Sequence, residues 1–252
     1  SEALQRGTSM SVVLPQPTEE QIGVSSAASQ GPPRVLYLLH GLSDDHSAWL
    51  RYSSVERYAA AAGLAVVMPA VNRSFYANER TGGRYWDFIS EELPAIVGNF
   101  FRVSQDPAQT YVAGLSMGGY GAMKLALSHP ERYAAAATLS GALDLDELAS
   151  RPERVELFEG IFGDTVPEDA NVFTLLEKAD AATLPRIHVS TGTEDAAGLV
   201  EGNRRFVAAL EEKGADVTTD FRPGEHVWSL WDTLLPEIID WMLDAPGVPA
   251  TA

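Results

Sequence analysis

An α/β architecture, a mainly parallel central sheet with helices on both faces, is what this 252-residue sequence predicts. Two observations carry it. Apolar runs of strand length recur along the chain, and helical segments separate them. A third observation, a serine set between glycines where one such run passes into a helix, marks one end of that sheet for chemistry.

In order, "MSVVLP" (10–15) reads as a short strand stopped by Pro15, and 17–33 as a turn-rich connection ending in a proline pair. "RVLYLLHG" (34–41) is an unbroken apolar run, the pattern of a strand buried on both faces. Residues 47–63 turn helical in their second half and stop at Gly63. "LAVVMPA" (64–70) is the next buried strand. Helical periodicity over 84–101 is interrupted by Pro94, which predicts a kink or two abutting helices. "QTYVAGLS" (109–116) is a strand and 118–130 the helix after it; "YAAAATLSG" (133–141) is an alanine-rich strand. "RIHVSTG" (186–192) and "DVTTDFRPG" (216–224) are two more, with a helix over 199–214 between them, and 230–243 closes as an amphipathic helix. Residues 142–185 lack a strand and are rich in acids and prolines. They read as a small cap-like insertion within a single domain spanning 1–252.

Composition narrows the function classes. Against 18 Lys+Arg stand 35 Asp+Glu, a formal charge of −17. Such a surface repels nucleic acid and anionic membranes, so neither is an expected partner. No cysteine is present, which removes disulfides, thiolate metal sites and a cysteine nucleophile. No two of the five histidines have the i, i+4 spacing of a helical zinc site, and no metal or organic cofactor is expected. No apolar run approaches the ~20 residues of a membrane span. The start "SEALQRG" has neither an initiator methionine nor a signal-peptide pattern, as a trimmed or processed chain would; a cytoplasmic location is the default expectation, and a homo-oligomer is left open.

Gly114-Leu115-Ser116-Met117-Gly118 is G-x-S-x-G between a strand and a helix, the context of a nucleophile elbow. A serine hydroxyl needs a base, and in such sites the chain order is Ser, acid, His. His129 follows the elbow helix and points away, and His188 lies inside a strand. His226, in the loop after the last strand, has the right order and place. The acid should follow the penultimate strand, where Glu194 and Asp195 stand; Asp195 is preferred and Glu194 is the alternative. Asp232 comes after His226 and breaks the order. Backbone N–H groups of Met117 and, after "LLHG", of Leu42 are the candidate oxyanion donors. His40 is read as fixing that loop. Phe158, Phe162 and Trp228 are expected to line a small acyl pocket, with the aromatics of 72–86 on a more open alcohol side.

"LLHGLSDDHSAW", "VVMP", "EELP", "VAGLSMGGYGAMKLAL", "GTED" and "GEHVWSLWDTLLPEIIDW" together resemble the putative-esterase family of α/β-hydrolases. Within it the chain is similar to the tributyrin-esterase branch and to S-formylglutathione hydrolases. The resemblance covers nearly the whole chain. It implies the α/β-hydrolase fold, a serine esterase acting on small-molecule, short-chain acyl esters, and no cofactor. By motif it assigns Ser116 as nucleophile, Asp195 (in G-x-x-D) as acid, His226 as base, and Leu42 and Met117 as oxyanion donors. The family's first strand is mostly missing before "SEALQ", and the loop after the HG-type strand differs from that of formylglutathione hydrolases.

Carbohydrate-ester hydrolysis (acetyl or feruloyl) and formylglutathione-type thioester hydrolysis are the alternatives. Acyl transfer, as in the similar secreted mycolyltransferases, would need export and a long lipid groove, and the sequence presents neither. A non-catalytic binding module would be expected to lack a triad member, and here all three types are present.

Overall fold

Strands form where the apolar runs lie, because alternate side chains can then be buried on opposite faces of one sheet. The computed structural model describes residues 1–17, 26–28 and 31–244. Most of the connection expected over 17–33 lies outside the described residues.

Among the described residues the sheet has 7 strands: β1 (Met10–Val13), β2 (Arg34–Leu39), β3 (Leu64–Pro69), β4 (Thr110–Leu115), β5 (Ala135–Leu139), β6 (Arg186–Gly192) and β7 (Val217–Arg222). Their spatial order is β1-β3-β2-β4-β5-β6-β7. Only the β1–β3 pair is antiparallel; the other neighbours are parallel. This is the α/β-hydrolase-like arrangement, a mostly parallel open sheet with helices on both faces.

Period-two burial divides the core. Val35, Tyr37 and Leu39 of β2 face one hydrophobic cluster, and Leu36 and Leu38 face the other. The helices are α1 (Ala48–Tyr52), α2 (Val55–Ala62), α3 (Tyr85–Asp87), α4 (Leu93–Phe100), α5 (Met117–Ser128), α6 (Leu145–Ala149), α7 (Val155–Phe162), α8 (Val172–Lys178), α9 (Ala197–Lys213) and α10 (Trp228–Leu243). Met117, Tyr120 and Met123 of α5 and Phe206 and Leu210 of α9 join the first cluster. Trp49, Val55 and Ala59, from α1 and α2, and Leu234, Ile238 and Met242 of α10 join the second. The alanines of β5 leave room for α5 on one side and α10 on the other. Gly63 ends α2 at φ 61°, a left-handed position that costs glycine little.

The interruption expected at Pro94 takes a specific form. A π-helical turn, Phe88–Glu92, separates α3 from α4, with Pro94 in the first turn of α4. Proline has no N–H for the carbonyl four residues back, which here is Ser90. That buried carbonyl accepts instead from Arg132 Nη1 at 2.5 Å, so the lost helical bond is replaced from another element.

Residues 142–185 contain α6, α7 and α8 and no strand among the named elements. Asp144 and Asn171 cap α6 and α8 with side-chain oxygens on backbone N–H groups. α8 packs against α5 and α9, and the buried Tyr120 hydroxyl donates to the Ala170 carbonyl at 2.7 Å.

Lys124, on the same helix as Tyr120, is buried. Its ammonium lies 3.4 Å from the Tyr76 carbonyl oxygen and 4.1 Å from the Trp86 ring centroid. Burial pulls the group down to about 8 from its ordinary 10.5, against the opposing pull of Asp169 and Asp87. Below pH about 8 the folded and unfolded chains both carry the charge, and the burial penalty acts in full. Between about 8 and 10.5 the folded chain gives up the proton first, the unfolded chain binds more protons, and stability rises with pH. Urea unfolding should therefore show wild type gaining up to ~3 kcal/mol on Lys124→Met across that window. Parallel profiles for the two proteins would refute this.

Candidate active site

In an open parallel sheet the cleft forms where successive connections leave for opposite faces. Here that point lies between β2 and β4: the chain after β2 goes to α1 and α2 on one face, and after β4 to α5 on the other. Ser116 sits there, half-buried, at the junction of β4 and α5. Its backbone has φ 54° and ψ −117°, a conformation an L-residue adopts only under constraint. The constraint is visible on both sides. Ser116 N–H donates to the Leu139 carbonyl of β5 at 2.9 Å, and its own carbonyl accepts from Tyr120 N–H (3.1 Å) and Ala142 N–H (3.0 Å). Glycine is required around it. A side-chain carbon at Gly114 would stand 2.3 Å from the Gly118 carbonyl oxygen, and one at Gly118 would stand 2.4 Å from that of Leu39.

His226 and Asp195, 31 residues apart, meet at the same sheet edge: His226 Nδ1 lies 2.7 Å from Asp195 Oδ2. The aspartate side chain is fully buried, whereas 34% of the imidazole is exposed. Asp195 Oδ1 accepts from the Ala196 N–H at 2.6 Å, so both of its oxygens are engaged. A buried carboxylate acceptor at Nδ1 leaves Nε2 as the free ring nitrogen. The ring is also held edge-on by Trp231, with centroids 4.8 Å apart. Glu194 is exposed, and its N–H donates to Gly224 O (2.9 Å); the structure brings Asp195, not Glu194, onto the imidazole. Asp232 faces elsewhere, accepting from Ser54 N–H (2.8 Å) and the Tyr58 hydroxyl (3.0 Å). His188 is buried beside Ser190 and Trp241, and His129 stacks on Trp86.

The loop after β2 is fixed by His40. Its Nδ1 lies 2.7 Å from Gly41 O, and its Nε2 accepts from Val71 N–H at 3.0 Å. Burial pulls this imidazole below its ordinary range, in keeping with a neutral ring that donates from Nδ1 and accepts at Nε2. A trans peptide points its C=O and N–H in opposite directions. With the Gly41 carbonyl turned to the His40 ring, the Leu42 N–H is turned away from it. Leu42 and Met117 line the same cavity as Ser116, Asp195 and His226.

Two hollows open from Ser116 and His226. One, of about 440 Å³, has apolar walls from Phe75, Met117, Ala142, Leu148 and Leu199. The other, of about 630 Å³, has Trp228 and Trp231 with Arg73 and Asp44. Leu42 and Arg154 border both. Of the aromatics expected in the pocket, Trp228 lines the second hollow. Phe158 and Phe162 line neither; they border a separate 140 Å³ pocket, and Phe158 packs behind Phe75 with centroids 5.0 Å apart. The physical reason is α7's apolar stripe, which turns Phe158 into the core and carries Phe162 beside it. Phe75 takes the place expected of them, at φ 48° and next to Tyr76 at φ 50°. Nothing in "NRSFYANE" announces that conformation, because aromatic residues rarely adopt it. Arg73 and Arg154 carry no sequence signal either, because arginines in loops and at a helix start are ordinarily solvated. Among the described residues no three His, Asp or Glu side chains converge as metal ligands.

The sequence profile of the putative-esterase family matches residues 1–242. An acetyl esterase from Caldicellulosiruptor saccharolyticus is 26% identical over 255 residues, spanning 96% of this chain and 95% of that protein. Among solved structures, the Staphylococcus aureus fluorophosphonate-binding serine hydrolase F (FphF) is 33% identical with a TM-score of 0.82, covering 93% of this chain and 91% of that one. The S-formylglutathione hydrolase FrmB from Staphylococcus aureus is 32% identical with a TM-score of 0.83, covering 97% and 96%. With this fold, this profile and these relatives, the chain belongs to the putative-esterase family of α/β-hydrolases and is a carboxylic ester hydrolase of the serine type.

Proposed function

We propose that the protein hydrolyses short-chain acyl esters through a Ser116–His226–Asp195 triad and an acyl-enzyme intermediate. The observation that carries the proposal is the 2.7 Å contact from the buried Asp195 to His226 at the cavity that also holds Ser116. In this reading His226 Nε2 takes the Ser116 Oγ proton as the oxygen attacks the ester carbonyl carbon. Leu42 and Met117 N–H groups receive the developing oxyanion, each such donor being worth ~10²–10³ in rate. The imidazolium is stabilised by Asp195 and returns its proton to the leaving alkoxide, which departs as the alcohol. Water then repeats the sequence on the acyl-enzyme, releasing the acid and restoring Ser116.

The 440 Å³ hollow is assigned to the acyl group, because its apolar walls suit a short chain. It lies toward the small end of the ~300–1,000 Å³ usual for ligand sites. The 630 Å³ hollow is assigned to the alcohol. A second reading, thioester hydrolysis by the same residues, is favoured by the 32% identity to a protein described as an S-formylglutathione hydrolase. Comparing turnover of that thioester with turnover of a butyryl ester separates the two.

Ser116→Ala should abolish turnover and block labelling by an organophosphate, mapped by mass spectrometry. Asp195→Asn should lower kcat by ~10⁴ while circular dichroism stays native, and Glu194→Gln should have a small effect. Reversed magnitudes for the last two would sink the acid assignment. For p-nitrophenyl esters, kcat/KM should peak between acetyl and butyryl and fall by octanoyl; a profile still rising at palmitoyl would rule out a short acyl pocket. Activity should persist after dialysis against a strong chelator, and loss that zinc or calcium restores would contradict the mechanism.

A further inference from the structure

Carboxylates outnumber cations 35 to 18 in this chain, and several cations are held in ion pairs. Arg132 is held by Glu91, Arg151 by Glu147, Arg205 by Asp144, and Arg222 by Asp220 and Glu237. Arg73 and Arg154 are not held in this way, and they stand at the site. Among the described residues, neither guanidinium has a carboxylate within ion-pair distance or a hydrogen-bonded partner. Both border the 630 Å³ hollow that contains Ser116 and His226. Arg73 also borders a pocket lined by Glu79, Glu153 and Glu156, yet it forms an ion pair with none of them. Two unpaired guanidinium residues bordering the hollow of the reacting serine are what anion binding there requires.

The remaining charges decide which side of the ester carries the anion. In the 440 Å³ hollow Glu194 and Glu225 join Asp195, Arg151 is already held by Glu147 at 3.0 Å, and only Arg154, shared with the other hollow, is unpaired. An acyl group bearing a carboxylate would meet more repulsion than attraction. In the 630 Å³ hollow Asp44 is the one carboxylate lining residue, against Arg73 and Arg154. Trp228 and Trp231, packed edge to face with centroids 5.4 Å apart, supply an aromatic wall in the same hollow.

We infer that the leaving group of the physiological ester is anionic, its carboxylate or phosphate being held by Arg73 and Arg154 against the Trp228 wall. This rests on the esterase reading and on the alcohol occupying the larger hollow. A guanidinium pair aimed at one anion gives two charge-assisted contacts, and losing either should lower selectivity about tenfold. The pair also raises the local concentration of anionic ester in a cleft whose protein is otherwise strongly negative.

The test is a matched pair of butyryl esters, 4-butyryloxybenzoate and 4-butyryloxybenzamide, with each kcat/KM divided by the ester's own hydroxide-catalysed rate. Wild type should favour the benzoate by about tenfold or more at low salt, and the preference should shrink as salt rises from about 20 mM to about 500 mM. In Arg154→Gln and in Arg73→Gln the benzoate/benzamide ratio should fall about tenfold, with Arg154→Lys retaining part of it. A phenyl hemisuccinate, which carries its charge on the acyl side, should show no such preference over phenyl butyrate. Equal corrected rates for the pair in wild type would overturn the proposal. So would a preference that survives in the double variant, or one that appears for the hemisuccinate instead. If the esterase reading itself were wrong, the benzamide ester would not be turned over above background either, which is a separable result.

Discussion

Everything at this site depends on how closely the start of α5 approaches the ends of β2 and β5. The strained backbone of Ser116 is tolerable because its N–H and C=O are both bonded, the first to Leu139 and the second to Tyr120 and Ala142. Those bonds exist only because Gly114 and Gly118 let three backbones pass at distances no side chain allows. The same approach brings the β2 loop to the serine, since Gly41 packs on Leu115 and Ser116. Strain at one residue is thus held by two neighbouring strands and the helix behind it.

The imidazoles illustrate how burial and partner type divide labour among chemically identical groups. His40 is buried with both ring nitrogens committed to backbone, so it serves as a brace for its loop. His188 is buried beside a serine hydroxyl and an indole. His226 alone has a buried carboxylate on one nitrogen and an exposed face beyond. An imidazole in that setting is oriented, has one tautomer favoured, and can still reach a substrate.

How much of this is legible in the sequence depends on how local the cause is. The strands and the serine turn are legible because apolar runs and paired glycines act within a few residues, and the seven expected strands all form, with bounds differing by a few residues. The break at Pro94 is legible too, though its form is not: Arg132, far along the chain, completes the Ser90 carbonyl. Glu194 and Asp195 are adjacent carboxylates, and what separates them, full burial of one side chain, comes from tertiary packing. Phe158 and Phe162 mislead for the same reason. They look like pocket residues by composition, but the helix stripe sends Phe158 inward, and Phe75 reaches the cavity through a backbone conformation that its sequence does not advertise. The charge total gives no hint of the Arg73–Arg154 pair, because an average over the chain hides a local excess.

One feature of the layout bears on how such a protein can change over generations. The residues proposed for the chemistry stand at strand ends and on the loops that leave them, whereas Leu148, Arg151 and Arg154 come from the segment between β5 and β6. That segment is anchored by α8 on α5 and α9, by the Tyr120 hydroxyl, by core side chains such as Leu145, Phe158 and Ile161, and at its start by Ala142 N–H on the Ser116 carbonyl. Its exposed loops, such as residues 150–154 and 163–169, can be lengthened, shortened or recoloured without touching the strained turn at Ser116. Inherited chemistry and acquired taste are therefore encoded in different stretches of one chain, and the second can drift while the first is kept.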